Sequence, residues 1–206
     1  MKYIFLLWGL MNFLSYDLNA QNDQSMKDMN APDLPYYQIP DYPNAYTAMS
    51  VAARMIDGLG FRFYWATEGL RVEDLNYKPG KEARSTAETI DHIYSMSFII
   101  LNASKKLPNE QIENKPQLTF QEKRKETLEN LKKASDILKK NNENDMGSYK
   151  VVFKRGENTT EFPYWNLING PIADCLWHVG QIVSFRRASG NPFNPKVSVF
   201  NGRIRE

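Results

Sequence analysis

The stretch STAETIDHIYSMSFIILNA, residues 85–103, decides how the rest of the chain must be arranged. It opens on Ser85-Thr86-Ala87-Glu88, the pattern in which a serine hydroxyl and a glutamate carboxylate satisfy each other's backbone amides at a helix start. Beyond that cap, Ile90, Ile93, Ser97 and Ile100 share one face of a 3.6-residue helix, and His92, Met96, Ile99 and Ala103 share another. A helix that is apolar around more than half its circumference has to be enclosed by other helices, so this segment predicts the interior of a bundle.

Working outward, Ala52, Ile56, Leu59, Phe63, Ala66 and Leu70 recur at three- and four-residue steps and predict a first helix over 47–70, weakened by Gly58 and Gly60. The turn Tyr77-Lys78-Pro79-Gly80 separates it from the second. Residues 105–118, with Pro108 and Pro116, are long enough to cross the end of a bundle. A second capping box, Thr119-Phe120-Gln121-Glu122, opens a third helix. Its apolar stripe of Leu128, Leu131, Ser135 and Leu138 is narrow and its other positions mostly charged, which predicts the outermost helix. Tyr149 to Phe153 and Thr159 to Phe162, joined through Arg155-Gly156-Glu157-Asn158, predict a β-hairpin. Pro163 suits a helix start, and a fourth helix should run to about Ser189, where Gly190 can take the left-handed cap and Pro192 prevents continuation. Pro171 inside it predicts a kink or break between Leu167 and Asp174. The expected fold is therefore all-α, a four-helix bundle over residues 47–192 with a small β-hairpin between its third and fourth helices.

The ends read differently. Lys2, the apolar run from Tyr3 to Phe13 and the small residue Ala20 predict a signal peptide over residues 1–20, and hence an exported protein, periplasmic or extracellular, with no stable membrane insertion after cleavage. Residues 21–46 contain Pro32, Pro35, Pro40 and Pro43 and predict an extended leader. Residues 193–206, with Asn201-Gly202 as a turn signal, form a C-terminal tail. In a chain of 206 residues, 42% hydrophobic content leaves room for one substantial core. With a net charge of +2 and its basic stretch around 123–140 interleaved with Glu126, Glu129 and Asp136, the chain lacks a nucleic-acid footprint. Cys175 is the single cysteine, so no internal disulfide can form.

The chain has two histidines, and both fall on helices expected to line the core. Asp174 and His178 lie four apart, one turn along a single helix face, and can grip one ion. Gln181 and Phe185 continue that face. His92, from the second helix, can supply a third ligand, which gives a two-histidine, one-carboxylate set with positions left for water or substrate. Imidazole suits Zn, Ni, Fe or Cu, and the carboxylate extends the range toward harder ions, so the expected cofactor is a divalent ion such as Zn, Ni, Fe or Mn. The same Asp-x-x-x-His pair can equally be an intrahelical hydrogen bond. Glu68, which shares a face with Phe61, Tyr64 and Trp65, is a candidate fourth ligand or general base, and otherwise a helix-end carboxylate. Asp91 and Gln181 are candidates for orienting the imidazoles. Cys175 points about 100° away from Asp174 and reads as core. Arg186 and Arg187 complement the dipole of the last turn.

The segment Asp174-Cys175-Leu176-Trp177-His178-Val179-Gly180-Gln181-Ile182 resembles the last-helix motif of the DinB/YfiT superfamily, which usually reads His, three residues, His, one residue, Gly-Gln. His92, seven residues after the Ser85 cap, resembles that family's second-helix ligand. Glu68-Gly69-Leu70, the Pro79-Gly80 turn and the closing Arg186 to Pro192 are similar as well. The likeness spans roughly residues 47–192, and its specific parts are His92 and the last-helix motif. It implies that His92 and His178 are metal ligands and that Asp174 stands where most members have histidine, a departure that changes the charge of the site. It implies a metal-dependent hydrolase or transferase acting on a small molecule, with export tilting the choice toward hydrolysis. A non-catalytic bundle that holds metal or ligand, a metal-free polar pair and a homodimeric state are alternatives that the residues leave open.

Overall fold

The computed structural model describes residues 34–110, 117–141 and 145–206. The expected signal peptide and the first part of the leader lie outside the described residues. The chain is mostly helical with a small sheet. Helix α1 spans Ala48–Thr67. Thr47 caps it: the Ser50 amide donates to the Thr47 hydroxyl at 3.1 Å and the Thr47 amide to the Ser50 hydroxyl at 2.8 Å. The periodicity carried this helix on to Leu70, but Gly69 turns into the left-handed region at φ 65° and ends it. A short helix that the sequence pattern did not suggest, α2, follows over Val72–Asn76.

Helix α3 covers Thr86–Ser104 and begins as its capping box requires, with the Ser85 amide donating to Glu88 Oε2 at 2.6 Å and the Glu88 amide to the Ser85 hydroxyl at 3.1 Å. Ile90, Ile93, Met96, Ile100, Leu101 and Ala103 are all buried along it. Helix α4, Phe120–Lys140, starts on the Thr119 cap and buries Leu128, Leu131, Ala134, Ser135 and Leu138. Its polar neighbours are also recruited: Asn130 donates to the Ser97 hydroxyl of α3 at 3.1 Å, and the buried Arg124 donates to Thr67 Oγ1 of α1 at 2.9 Å. The expectation of an outermost helix is thus corrected, because α4 makes the two most extensive helix–helix contacts, with α1 and α3. Its stripe is narrow but supplemented by side chains whose hydrogen-bonding groups find partners across the interface.

Strands β2, Lys150–Arg155, and β3, Asn158–Pro163, form the expected antiparallel hairpin. Arg155 pairs with Asn158, and Gly156 takes φ 60° at the first position of the two-residue turn, a conformation open to glycine at no steric cost. A third strand, β1, Asn109–Glu110, adds in parallel beside β2, so part of the segment expected only to cross the helix ends joins the sheet. After Pro163 come helix α5, Tyr164–Leu167, a π turn over Ile168–Ile172 that contains Pro171, and helix α6, Ala173–Ala188. The expected break is therefore a widened turn within a continuing helical path. Helix α6 packs against the same two helices as α4, namely α1 and α3.

Residues 35–46 contain no helix, as the prolines dictate, but they are seated on α1. Tyr36 is 4% exposed, its hydroxyl donating to the buried Asp57 at 3.1 Å, and the Trp65 indole donates to the Tyr37 carbonyl at 3.1 Å. The tail pairs on itself as β4, Val197–Ser198, and β5, Arg203–Ile204, and the Ile39 amide donates to Gly202 O at 3.0 Å. Phe61, Trp65 and Val197 form a satellite cluster that takes in Ile39, Phe193 and Ile204. Among the described residues, no helix is long and apolar enough to cross a membrane.

Candidate metal centre

His92 sits two turns into α3, while Asp174 and His178 occupy successive turns at the start of α6. The packing of α3 on α6 brings the three side chains together. His92 Nε2 lies 3.1 Å from Asp174 Oδ2, and His178 Nε2 lies 3.5 Å from Asp174 Oδ1. The two imidazoles meet edge to face with ring centroids 4.8 Å apart. One ligand atom from each residue can be chosen so that all lie within 4.8 Å of one another.

These separations fit one ion. Two ligand atoms each about 2.1 Å from a tetrahedral metal stand about 3.4 Å apart; the two histidine–aspartate distances, made to different oxygens of the carboxylate, bracket that value, and the wider separation of up to 4.8 Å within the set closes by side-chain movement when an ion is held. The donor chemistry fits as well: two neutral imidazole nitrogens and one carboxylate suit a divalent ion of intermediate hardness. Gln181, one turn beyond His178, has Oε1 2.7 Å from His178 Nδ1. An amide oxygen can only accept, so this contact places the ring proton on Nδ1 and leaves the Nε2 lone pair facing Asp174. That is the orientation a metal ligand needs. Without an ion, the His92 ring can donate its Nε2 proton to Asp174 instead, so the same geometry also describes a polar triad.

The centre is reachable from solvent on one side. His178 is largely covered at 14% side-chain exposure, whereas His92 and Asp174 are 33% and 40% exposed. A structural ion is normally closed in by four protein ligands, and a catalytic one keeps a position open. Three candidate ligands with this exposure would leave a coordination position open to solvent.

The remaining expected residues are placed elsewhere. Glu68 caps the end of α1 and pairs with Arg124, whose guanidinium also stacks on Tyr64 with its carbon 4.7 Å from the ring centroid. It is not one of the three groups that gather. Asp91 accepts from Lys123 at 2.6 Å, tying α3 to α4 rather than orienting an imidazole. Phe185 packs on Tyr77, ring centroids 5.8 Å apart. Cys175 is fully buried, and burial, reinforced by the Asp174 charge, pushes its thiol up to about 12, so it stays protonated at neutral pH and is not a nucleophile. Arg187 is exposed, but Arg186 is buried and does more than complement its own helix dipole. It donates to the carbonyls of Trp65 and Ala66 at the end of α1 at 3.1 and 3.0 Å, and to Asn191 O at 2.8 Å.

A second polar knot, which the sequence reading did not single out, fixes the loops beside α6. Asp74, fully buried, accepts from the Arg71 guanidinium at 2.9 and 3.1 Å, the Ser189 hydroxyl at 2.6 Å, the Arg71 backbone amide at 2.8 Å and the Asn191 side-chain amide at 2.6 Å. Burial alone would raise its carboxyl, but these bonds outweigh burial and hold it well below the usual carboxylate range. The available signal was Asp74 three residues after Arg71 at a helix start; its partners at 189 and 191 are too distant in sequence to read. In comparisons with known proteins, no family model, curated protein or solved structure matches this chain.

Proposed function

We propose that the chain is an exported DinB-like protein whose four long helices form a four-helix bundle, and whose His92, Asp174 and His178 hold one divalent ion for metal-dependent hydrolysis or group transfer on a small molecule. The observation that carries the reading is the approach of both Nε2 atoms, from two helices, to the two oxygens of one carboxylate. Of the ions the sequence suggested, Zn, Ni, Fe and Mn all accept this donor set. When bound, such an ion lowers the pKa of a coordinated water or polarises a substrate oxygen. The chain itself supplies the rest. Gln181 holds the Nδ1 proton of His178, Asp174 contributes negative charge, and the exposed side of His92 and Asp174 admits a substrate. The pattern of residues 1–20 supports export, and a homodimer in solution is compatible with the reading.

The experiment is elemental analysis of protein purified without chelator, alongside His178→Ala. One equivalent of metal in the wild type and its loss in the variant is the expected result. A metal-free wild type that cannot be loaded with Zn, Ni, Fe or Mn rejects the reading and leaves a polar triad.

One observation favours a second reading, a non-catalytic metal- or ligand-binding module. The carboxylate best suited by sequence to act as general base, Glu68, is engaged by Arg124. Metal that exchanges no water, measured by relaxation of bulk water with Mn in the site, selects the binding module; fast exchange selects the enzyme.

A further inference from the structure

Helix α6 faces two neighbours, and the seam with α3 contains the candidate metal centre. The other seam, with α1, holds a groove of about 950 Å³ that the segment after α6 also lines. The two sites occupy different faces of one helix: at 100° per residue, Leu176 and Val183 lie about 180–200° from Asp174, with the buried stripe of Cys175, Val179 and Ile182 between them. The groove wall is apolar, built from Met55, Leu176, Val183 and Phe193. Gly180 gives it width, since a side chain there would meet nothing within 4 Å.

Three cations border this apolar floor, Arg54, Arg62 and Arg187, and among the described residues no Asp or Glu lines it. Arg54 donates to the Pro40 carbonyl at 2.6 Å and lies over the Tyr42 ring, 4.8 Å from its centroid, and Arg62 donates to the Gly58 carbonyl at 2.9 Å; among the described residues neither pairs with a carboxylate. Arg62 lies close over Gly58, where a Cβ would come within 3.2 Å of its Nη1. An apolar cleft of this size with a few convergent charges is the usual form of a small-molecule site. Its charge selects an anion, and its wall selects an aliphatic body. The geometry points to a binding site for a single-chain anionic amphiphile, a long-chain carboxylate whose head pairs with the arginines and whose tail lies between α1 and α6. The concave shape suits a monomeric ligand better than a bilayer surface.

The test is calorimetric titration of the full chain with dodecanoate, kept below its micelle concentration. Saturable one-to-one binding is expected, at least tenfold weaker for dodecanol and for the Arg62→Met, Arg187→Met double variant. Gly180→Leu should abolish it without lowering the melting temperature, because the added side chain fills groove space and leucine favours helix over glycine. His178→Ala should bind dodecanoate like the wild type, which separates this site from the metal reading. The proposal is overturned by absent binding, by equal affinity for the alcohol, or by loss of binding in His178→Ala. It is likewise overturned by binding to phosphatidylglycerol vesicles but not to monomeric dodecanoate, or by a dimer in sedimentation that Gly180→Leu dissociates.

Discussion

Replacing Gly60 by alanine should destabilise the protein, although Gly60 lies inside a helix where the same change ordinarily helps. In an open helix interior, alanine is better than glycine by about 1 kcal/mol. Here a Cβ would stand 2.4 Å from Cδ2 and Cε2 of Tyr36 and 2.8 Å from its Cγ, so the ring has to leave its seat. Forcing extra volume into a packed site costs about 1–3 kcal/mol. Moving the ring also breaks the hydroxyl bond to Asp57, worth about 1.5–3 kcal/mol for a charged acceptor, and leaves that buried carboxylate to Lys139, 2.6 Å away. Net of the helix gain, the expected loss is about 1.5–5 kcal/mol. The decisive measurement is a double-mutant cycle with Tyr36→Ala, read by urea unfolding. Once the ring is absent, Gly60→Ala should change sign and stabilise by about 1 kcal/mol. Stabilisation in both backgrounds would mean that Tyr36 is not seated on α1, and the packing of residues 35–46 would have to be abandoned.

The other predictions concern the metal centre, acid and the π turn. Gln181→Leu should weaken metal binding about 10–100-fold, as loss of an orienting partner does, while Gln181→Glu, which keeps an acceptor, should weaken it less; competition with a chromophoric chelator reads both. At free metal 100-fold above Kd, removing the ion should cost about 2.7 kcal/mol of stability, seen as a lower melting temperature after chelation; an unchanged Tm with metal loss verified refutes binding to the folded state alone. The Ser85 amide, with Lys78 beside it, holds the Glu88 carboxyl at about 2 against an ordinary 4.5. A depressed carboxylate contributes its stability above its unfolded value and loses it as pH falls through the folded one, so urea midpoints should drop between about pH 4.5 and 2, and less steeply in Glu88→Gln. Pro171→Ala should gain much less than the roughly 3 kcal/mol that a proline costs inside an α-helix, because the wide turn does not depend on the proline; a full gain measured by thermal unfolding contradicts that.

The helices were legible where local chemistry and tertiary demand agree. At Ser85 and Thr119 the cap residue and the glutamate three positions later determine where α3 and α4 begin, and no distant residue is needed. At Gly58 and Gly60 they disagree. Both glycines argue against α1 on propensity; the reason for Gly60 lies outside the helix, in the Tyr36 ring, while the neighbour of Gly58 is the Arg62 guanidinium one turn along the same helix. The buried knot around Asp74 failed to show for a related reason: residues 71, 74, 189 and 191 meet only once the fold has formed. The pairing of Asn109–Glu110 with β2 is likewise non-local and carries almost no hydrophobic signal in two residues.

The candidate site was legible from two histidines and one helical spacing, but the face that Asp174 presents depends on a feature that periodicity shows only indirectly. The buried residues of the last helical path are Tyr164, Leu167, Ile172, Cys175, Val179, Ile182 and Arg186. Their steps are 3, 5, 3, 4, 3 and 4. Every step but one suits an α-helix; five residues would carry Ile172 about 140° off the stripe. A π turn, with its bonds five residues apart, absorbs the surplus residue, and the Ala173 amide indeed reaches Ile168 O. Pro171 occupies that turn, where the backbone is already irregular and a missing amide costs least. The turn is therefore required by the spacing of the core, and the proline is accommodated by it. Its consequence lies three residues on: with the surplus absorbed, Cys175 and Ile182 return to the core while Asp174 and His178 fall beside that stripe, on the edge that meets His92 of α3.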